Sequence, residues 1–364
     1  MENTNRIEEI DIIKGIAIIL MVYGHCYLPF TRFIYLFHMA VFVIASGVVY
    51  KTPTSSIDVI NKCLKRIKGL YIPYVFFNFL YLFLTPYFNE IALLDSVNDY
   101  STVWGGVIKT LLFHGYTEFG GPMWFLRALF FASVLFLIFD YLCNVIFKRR
   151  LFVNISHSFI AVILLLVSWR LVKNGESSVI KMDIFQLGDF YILYYGGVII
   201  SGVTKNIKKF VGNTKVGIAV LLISFVLLLI LNNFGRIELL LGEIQNPLFF
   251  ISASVLGFCL LYYIAFFICK YLSPLKELLL VIGKNTIWIL ALHFFVFKLV
   301  NLVIVSVMGL SEDLISVSPT LYGNTLYGLL YVSIGIIIPV ILGILFKSLK
   351  KKMESTYENT KIHR

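Results

Sequence analysis

Ten predominantly apolar stretches of about 17 to 25 residues, the length that crosses a bilayer, follow one another along this chain. They lie near 12–30, 33–50, 70–88, 123–146, 151–169, 187–203, 215–233, 247–269, 285–308 and 324–347. A helix rises ~1.5 Å per residue, so roughly 20 apolar residues cross a ~30 Å hydrocarbon layer. Within that layer the backbone must satisfy its own hydrogen bonds, which admits helices and closed barrels only. Runs of this length restrict the chain to an all-α fold: a polytopic transmembrane helical bundle of about ten helices. Hydrophobic residues form 59% of the 364 and charged residues 14%, which excludes an ordinary soluble domain.

The loops between these runs alternate in charge. Lys51, Lys62, Lys65, Arg66 and Lys68 follow the second run, Lys148, Arg149 and Arg150 the fourth, and Lys205, Lys208, Lys209 and Lys215 flank the loop after the sixth. Lys270 and Lys276 follow the eighth, and Lys347, Lys350, Lys351 and Lys352 open the tail. The opposite loops collect Glu90, Asp95, Asp99, Glu118, Glu238, Glu243, Glu312 and Asp313. Basic loops stay on the cytoplasmic side, so both termini are expected inside a multi-pass protein of the cell (plasma or inner) membrane. One transmembrane domain over 1–352 and a polar cytoplasmic tail over 353–364 are expected, with the polar ends, 1–10 and 353–364, disordered. The net charge of +11 is used up in these loops, so the partner it implies is the lipid bilayer and not nucleic acid. The loop 89–122 holds a short amphipathic piece, too short to span, that would lie at the interface with Trp104 and Trp124 at headgroup depth. Five cysteines without C-x-x-C spacing indicate neither a disulfide framework nor a metal site.

Against this apolar background, Asp11 to His38 carries Asp11, Lys14, His25, Arg32 and His38. A charge near the bilayer centre costs from ~3 to ~15 kcal/mol, so such residues usually face a cavity or a partner. Lys14 and His25 are eleven positions apart, about three turns, and share a helix face some ~16 Å from each other, with Asp11 within about 40° of it. His25 is a candidate general base, since a neutral imidazole accepts a proton near pH 7; a packing histidine donating to a carbonyl is the alternative. His38 opens the second span close to His25, and His293 lies about eight residues into the ninth span, a costly depth without a partner.

The runs D-x-x-K-G-I-A-I-I-L-x-V-x-G-H and F-H-M-x-V-F-x-x-x-S-G resemble the opening of the integral-membrane acyltransferase 3 family, in particular its sugar O-acetylases. That family usually shows Arg, ten residues, then His; here the basic residue is Lys14, a point charge where Arg offers a bidentate fork. K-R-I-K-G, with Lys65, Arg66 and Lys68, stands where the family often has R-x-x-R. G-G-P-M-W-F-L-R-A-L-F from Gly120 is similar to its W-F-L element, and I-G-K-N-T-I-W-I-L-A-L-H ending at His293 to its late G-K-x-S/T element. The resemblance implies O-acyl transfer, most often of acetyl, from cytoplasmic acetyl-CoA as donor co-substrate, without a metal, to a hydroxyl of a cell-surface or lipid-linked glycan. It implies a catalytic set of His25, Asp11 and His38, a grip on acyl-CoA by Lys14, Lys65, Arg66 and Lys68, and acceptor contacts from Trp124, Arg127 and His293. A positive-inside signal explains the basic loop equally well, and an aromatic belt explains Trp124. The rival reading is a secondary transporter or exporter of a lipid-linked sugar, which would show repeat symmetry or paired broken helices; the sequence shows neither.

Overall fold

The computed structural model describes residues 7–94, 103–114, 118–174, 179–206, 211–322 and 325–362. Asp95, Asp99, Lys208 and Lys209, counted above among the loop charges, lie outside them. The helices are α1 (Glu8–Gly24), α2 (Thr31–Tyr35), α3 (His38–Val48), α4 (Ser56–Arg66), α5 (Ile72–Glu90), α6 (Val103–Leu111) and α7 (Trp124–Ile146). They continue with α8 (Arg150–Lys173), α9 (Val179–Asn206), α10 (Thr214–Phe234), α11 (Pro247–Tyr271), α12 (Ser273–Gly283), α13 (Thr286–Met308) and α14 (Thr325–Ile362). A two-stranded antiparallel hairpin, β1 (Ile237–Glu238) and β2 (Glu243–Ile244), joins α10 to α11, with Glu238 opposite Glu243. Among the described residues nine helical stretches are long and apolar enough to cross a membrane. The chain is a polytopic helical bundle. α1, at 17 residues, is shorter and reaches ~25 Å.

Beyond its polar residues Glu8, Glu9, Asp11 and Lys14, α1 is apolar around its circumference, and a helix of that kind is buried: Ile10, Ile12, Ile13, Ala17, Ile18, Met21 and Val22 are all in the core. It packs against α3, α11, α12, α13 and α14, while α7, α8 and α9 pack together and reach it through α3. The approach to α12 is closest. A Cβ on Gly15 would stand 2.5 Å from the Leu279 carbonyl oxygen, and one on Gly283 would overlap that of Asp11. Only a glycine pair lets the two backbones meet here.

Four departures from the expected elements have local causes. The first span was expected to reach residue 30, but α1 ends at Gly24 because Tyr27 and Phe30 take left-handed φ of 51° and 66°, with Pro29 between them. The third span is only part of a longer helical stretch: α4 runs through one wide turn at Ile67–Tyr71 into α5. Pro73 has no N–H for the residue 69 carbonyl, and a wide turn is how a helix absorbs that defect. The tail over 353–364 was expected to be disordered, yet α14 continues to Ile362, as the extension of a long preceding helix and with Lys350 and Glu354 paired at 3.9 Å one turn apart. Finally, α6 is the short helix anticipated in the 89–122 loop and its Trp104 is 75% exposed, whereas Trp124 is buried at 8% and faces the bundle instead of the headgroups.

Candidate active site

The end of α1 delivers His25 to a ring of aromatic groups. Its imidazole stacks on that of His293 at 5.5 Å between centroids and meets the edge of Phe294 at 4.9 Å. His293 Nδ1 donates to the Ile289 carbonyl at 2.8 Å. A carbonyl only accepts, so this nitrogen carries a hydrogen. The opposite nitrogen, Nε2, is buried and has no hydrogen-bond partner among the described residues. His38 donates from Nδ1 to the Ile34 carbonyl at 3.0 Å, and the Tyr35 ring meets its edge at 5.0 Å. His25, His38, Tyr35, Trp124 and Glu238 line one cavity of about 70 Å³.

Met21, Met39 and Leu290 line this small cavity and also a second one of about 570 Å³, within the ~300–1,000 Å³ usual for small-molecule and cofactor sites. The larger cavity runs beside α1 to its other end. Phe42, Phe77, Phe125 and Trp288 form apolar walls, and Asp11, Lys14, Lys284 and Lys347 sit among its lining residues. Lys14 pairs with Asp11 at 3.8 Å, and Lys347 donates to the Lys284 carbonyl at 2.9 Å and to Asn285 Oδ1 at 2.7 Å.

Ser46, Leu70 and Leu129 in turn belong both to this cavity and to a third, of about 330 Å³, lined by Lys51, Lys62, Lys65 and Arg66. Arg66 is fixed here: its Nε donates to Ser133 Oγ at 3.0 Å and an Nη to the Tyr194 hydroxyl at 3.1 Å. The other face of α4 turns outward, with Ile57, Ile60 and Leu64 exposed at the i, i+3, i+7 spacing of an interfacial helix. Lys62 is tied to Asp58, and Lys68 is exposed in the wide turn.

The structure thus brings His25, His38 and Trp124 to one cavity, with His293 stacked against His25. Lys14 lines the larger cavity at its basic end, and Lys65 and Arg66 line the cavity adjoining it. Asp11 does not join the histidines. Fourteen residues of helix separate it from His25, ~21 Å along the axis, and it faces Lys14. Arg127 is buried, 4% exposed, and does not sit beside Trp124 in the cavity lining; it donates to Gln186 Oε1 at 3.1 Å, and Gln186 donates to the Leu240 carbonyl at 3.0 Å. That relay ties the hairpin over the histidine cavity to α7 and α9.

Four residues enter the site that the sequence reading left out. Lys284 belongs to the G-K-N-T run but was passed over for His293. Lys347 was read as a topology signal, and Glu238 as a mere outer-loop acid. Tyr35 had no signal at all. A buried network outside the site was also invisible: Tyr50 donates to Asp140 Oδ2 at 2.7 Å, and His157 bridges Asp140, 3.3 Å away, and the Tyr191 hydroxyl, 2.9 Å away. Tyr50 and Tyr194 line the basic cavity, so this network stiffens one of its walls.

The sequence model of the acyltransferase 3 family, described as an acyltransferase domain, matches residues 7–344. No curated protein and no solved structure matches the chain.

Proposed function

This chain belongs to the acyltransferase 3 family and is a multi-pass membrane acyltransferase, and on that premise we propose that it moves a short acyl group, acetyl in the first instance, from cytoplasmic acyl-CoA to a hydroxyl of a cell-surface or lipid-linked glycan. The observation that carries this reading is the row of adjacent cavities along α1, sharing lining residues, from Lys62, Lys65 and Arg66 through Lys14, Lys284 and Lys347 to His25. Loop charges assign its basic end to the cytoplasm, where acyl-CoA is made. Lysines and an arginine suit phosphates there, apolar walls suit a pantetheine arm, and the ~16 Å from Lys14 to His25 is within that arm's reach.

At the far end His25 takes the proton of the acceptor hydroxyl as its oxygen attacks the thioester carbonyl. The C–O bond forms, the C–S bond breaks, and the imidazolium returns its proton to the leaving thiolate, so charge and atoms balance. The stacked ring of His293 holds His25 in place, and His38 faces it across the cavity. About 70 Å³ beside His25 has room for a few waters or an acetyl group and not for a fatty chain, which favours acetyl.

The test is purified protein in liposomes with radiolabelled acetyl-CoA. Saturable binding with slow hydrolysis, or transfer to added glycan, is expected. A monodisperse preparation that neither binds nor cleaves acetyl-CoA refutes the assignment.

A further inference from the structure

A fourth cavity, of about 360 Å³, lies beyond the histidines and is lined by Arg32, Tyr35, Arg236, Glu238 and Glu243. Tyr35, Ile237 and Glu238 line both this vestibule and the histidine cavity. Glu238 is the charged residue common to the two. Glu238 thus stands at the boundary between the vestibule and the histidine cavity.

We propose that Glu238 is the acceptor-binding residue of this enzyme, and that the unit it admits to His25 is a neutral sugar ring presented from the outer side. The proposal rests on the acyltransferase reading above and names the acceptor class that reading leaves open. A carboxylate offers two oxygens with about four acceptor sites and makes charge-assisted hydrogen bonds to hydroxyls, which a sugar ring presents in adjacent pairs. A uronate or phosphate on the same ring would meet a like charge in a confined space, and like-charge juxtaposition is how sites reject wrong partners. The vestibule's positive charges do not reverse this. Arg236 is paired with Glu243 at 3.0 Å, and Arg32 lines the vestibule and not the histidine cavity, with its guanidinium donating to the Gly235 carbonyl at 3.3 Å. Tyr35, half-buried beside Glu238, offers an aromatic face of the kind sugars stack on.

The hairpin that carries Glu238 is anchored at two points, one of them itself braced. Gln186 holds the Leu240 carbonyl, Arg127 holds Gln186, and Arg32 holds Gly235. Such anchoring is what a binding group needs if it is to fix a hydroxyl within reach of a base.

The experiment uses the full chain in liposomes, radiolabelled acetyl-CoA, and alkali-de-esterified surface polysaccharide of the producing cells as acceptor. Glu238→Gln keeps the shape and removes the charge. It is expected to raise the acceptor KM about 10- to 100-fold, the range for losing a hydrogen bond to a charged group, with the KM for acetyl-CoA unmoved. Methyl glucoside is expected to compete with the polysaccharide in the wild type while methyl glucuronoside does not, and the uronate is expected to gain on the neutral sugar in Glu238→Gln. Glu312→Gln, an exposed acid on another outer loop, serves as the control for loss of surface charge. An unchanged acceptor KM in Glu238→Gln, or a uronate that competes as well as the neutral glycoside in the wild type, overturns the proposal and leaves the acyltransferase reading standing. A wild-type protein without acetyl-CoA cleavage or transfer overturns both.

Discussion

Replacing His25 with alanine is expected to separate binding from chemistry, because the proposed acyl-CoA grip at Lys14 and the proposed base at His25 stand at opposite ends of one helix. The imidazole lost is the group that lines the histidine cavity, and general-base catalysis typically supplies ~10²- to 10⁴-fold, or about 2.7–5.4 kcal/mol of barrier. Packing loss is small by comparison at the site of binding. His25 touches His293 and Phe294, whereas Lys14 and Asp11 lie ~16 to ~21 Å away along α1. His25→Ala is therefore expected to lower kcat for acetyl transfer by at least 100-fold and to leave the affinity for acetyl-CoA within about threefold. The assay is transfer of radiolabel from acetyl-CoA to glycan, run beside equilibrium binding of acetyl-CoA, on variants matched for the amount of monodisperse protein. His293→Ala, which removes the stacked partner and leaves the base, is expected to fall between wild type and His25→Ala in kcat. Near-normal transfer by His25→Ala refutes the reasoning, as does a loss of acetyl-CoA binding as large as the loss of kcat.

Three further outcomes test other parts of the structure. Lys14→Ala is expected to raise the KM for acetyl-CoA about tenfold, the scale of one charge-assisted contact, and Lys14→Arg to restore it; equal KM values in both variants argue against a phosphate contact. Gly283→Ala forces a Cβ onto the Asp11 carbonyl, so α1 and α12 must part, at ~1–3 kcal/mol for overpacking; a lower midpoint for loss of monodisperse protein on heating is expected, and an unchanged midpoint contradicts the close contact. A tag placed after Lys352 is expected to stay shielded from a membrane-impermeant reagent in intact cells, and labelling from outside reverses the assigned sidedness.

The bundle was legible because its evidence is local. Twenty apolar residues either cross a bilayer or are buried, and no distant contact is needed to see that. The errors fell where a few backbone angles outweigh hydrophobicity. Leu28 and Phe30 continue the apolar run of α1, yet left-handed Tyr27 and Phe30 around Pro29 end the helix and turn the chain. The 353–364 tail shows the reverse error: polar composition suggested disorder, while a long preceding helix, already nucleated, carries α14 onward.

The site was legible on one helix and obscure across several. Lys14 and His25 share α1, so periodicity alone related them. His293 came from its cost at depth, but its stacking on His25 is a tertiary fact that no spacing encodes. Glu238 carries the same ambiguity as any acid in an outer loop. It becomes special only because a two-residue strand, pinned through Gln186 and Arg127, sets it between two cavities. The departure from the family's usual arginine also changes meaning in three dimensions. A lone Lys14 is a poor substitute for a bidentate fork, but Lys14, Lys284 and Lys347 line one cavity from three separate helices or their junctions. Three point charges around one space supply the donors that one guanidinium would, on stems that adjust to a phosphate instead of demanding a single geometry. It follows that Lys14 should matter less here, taken singly, than an arginine does where it stands alone, and that pairwise loss of Lys14 with Lys347 should cost more than the two single losses added together.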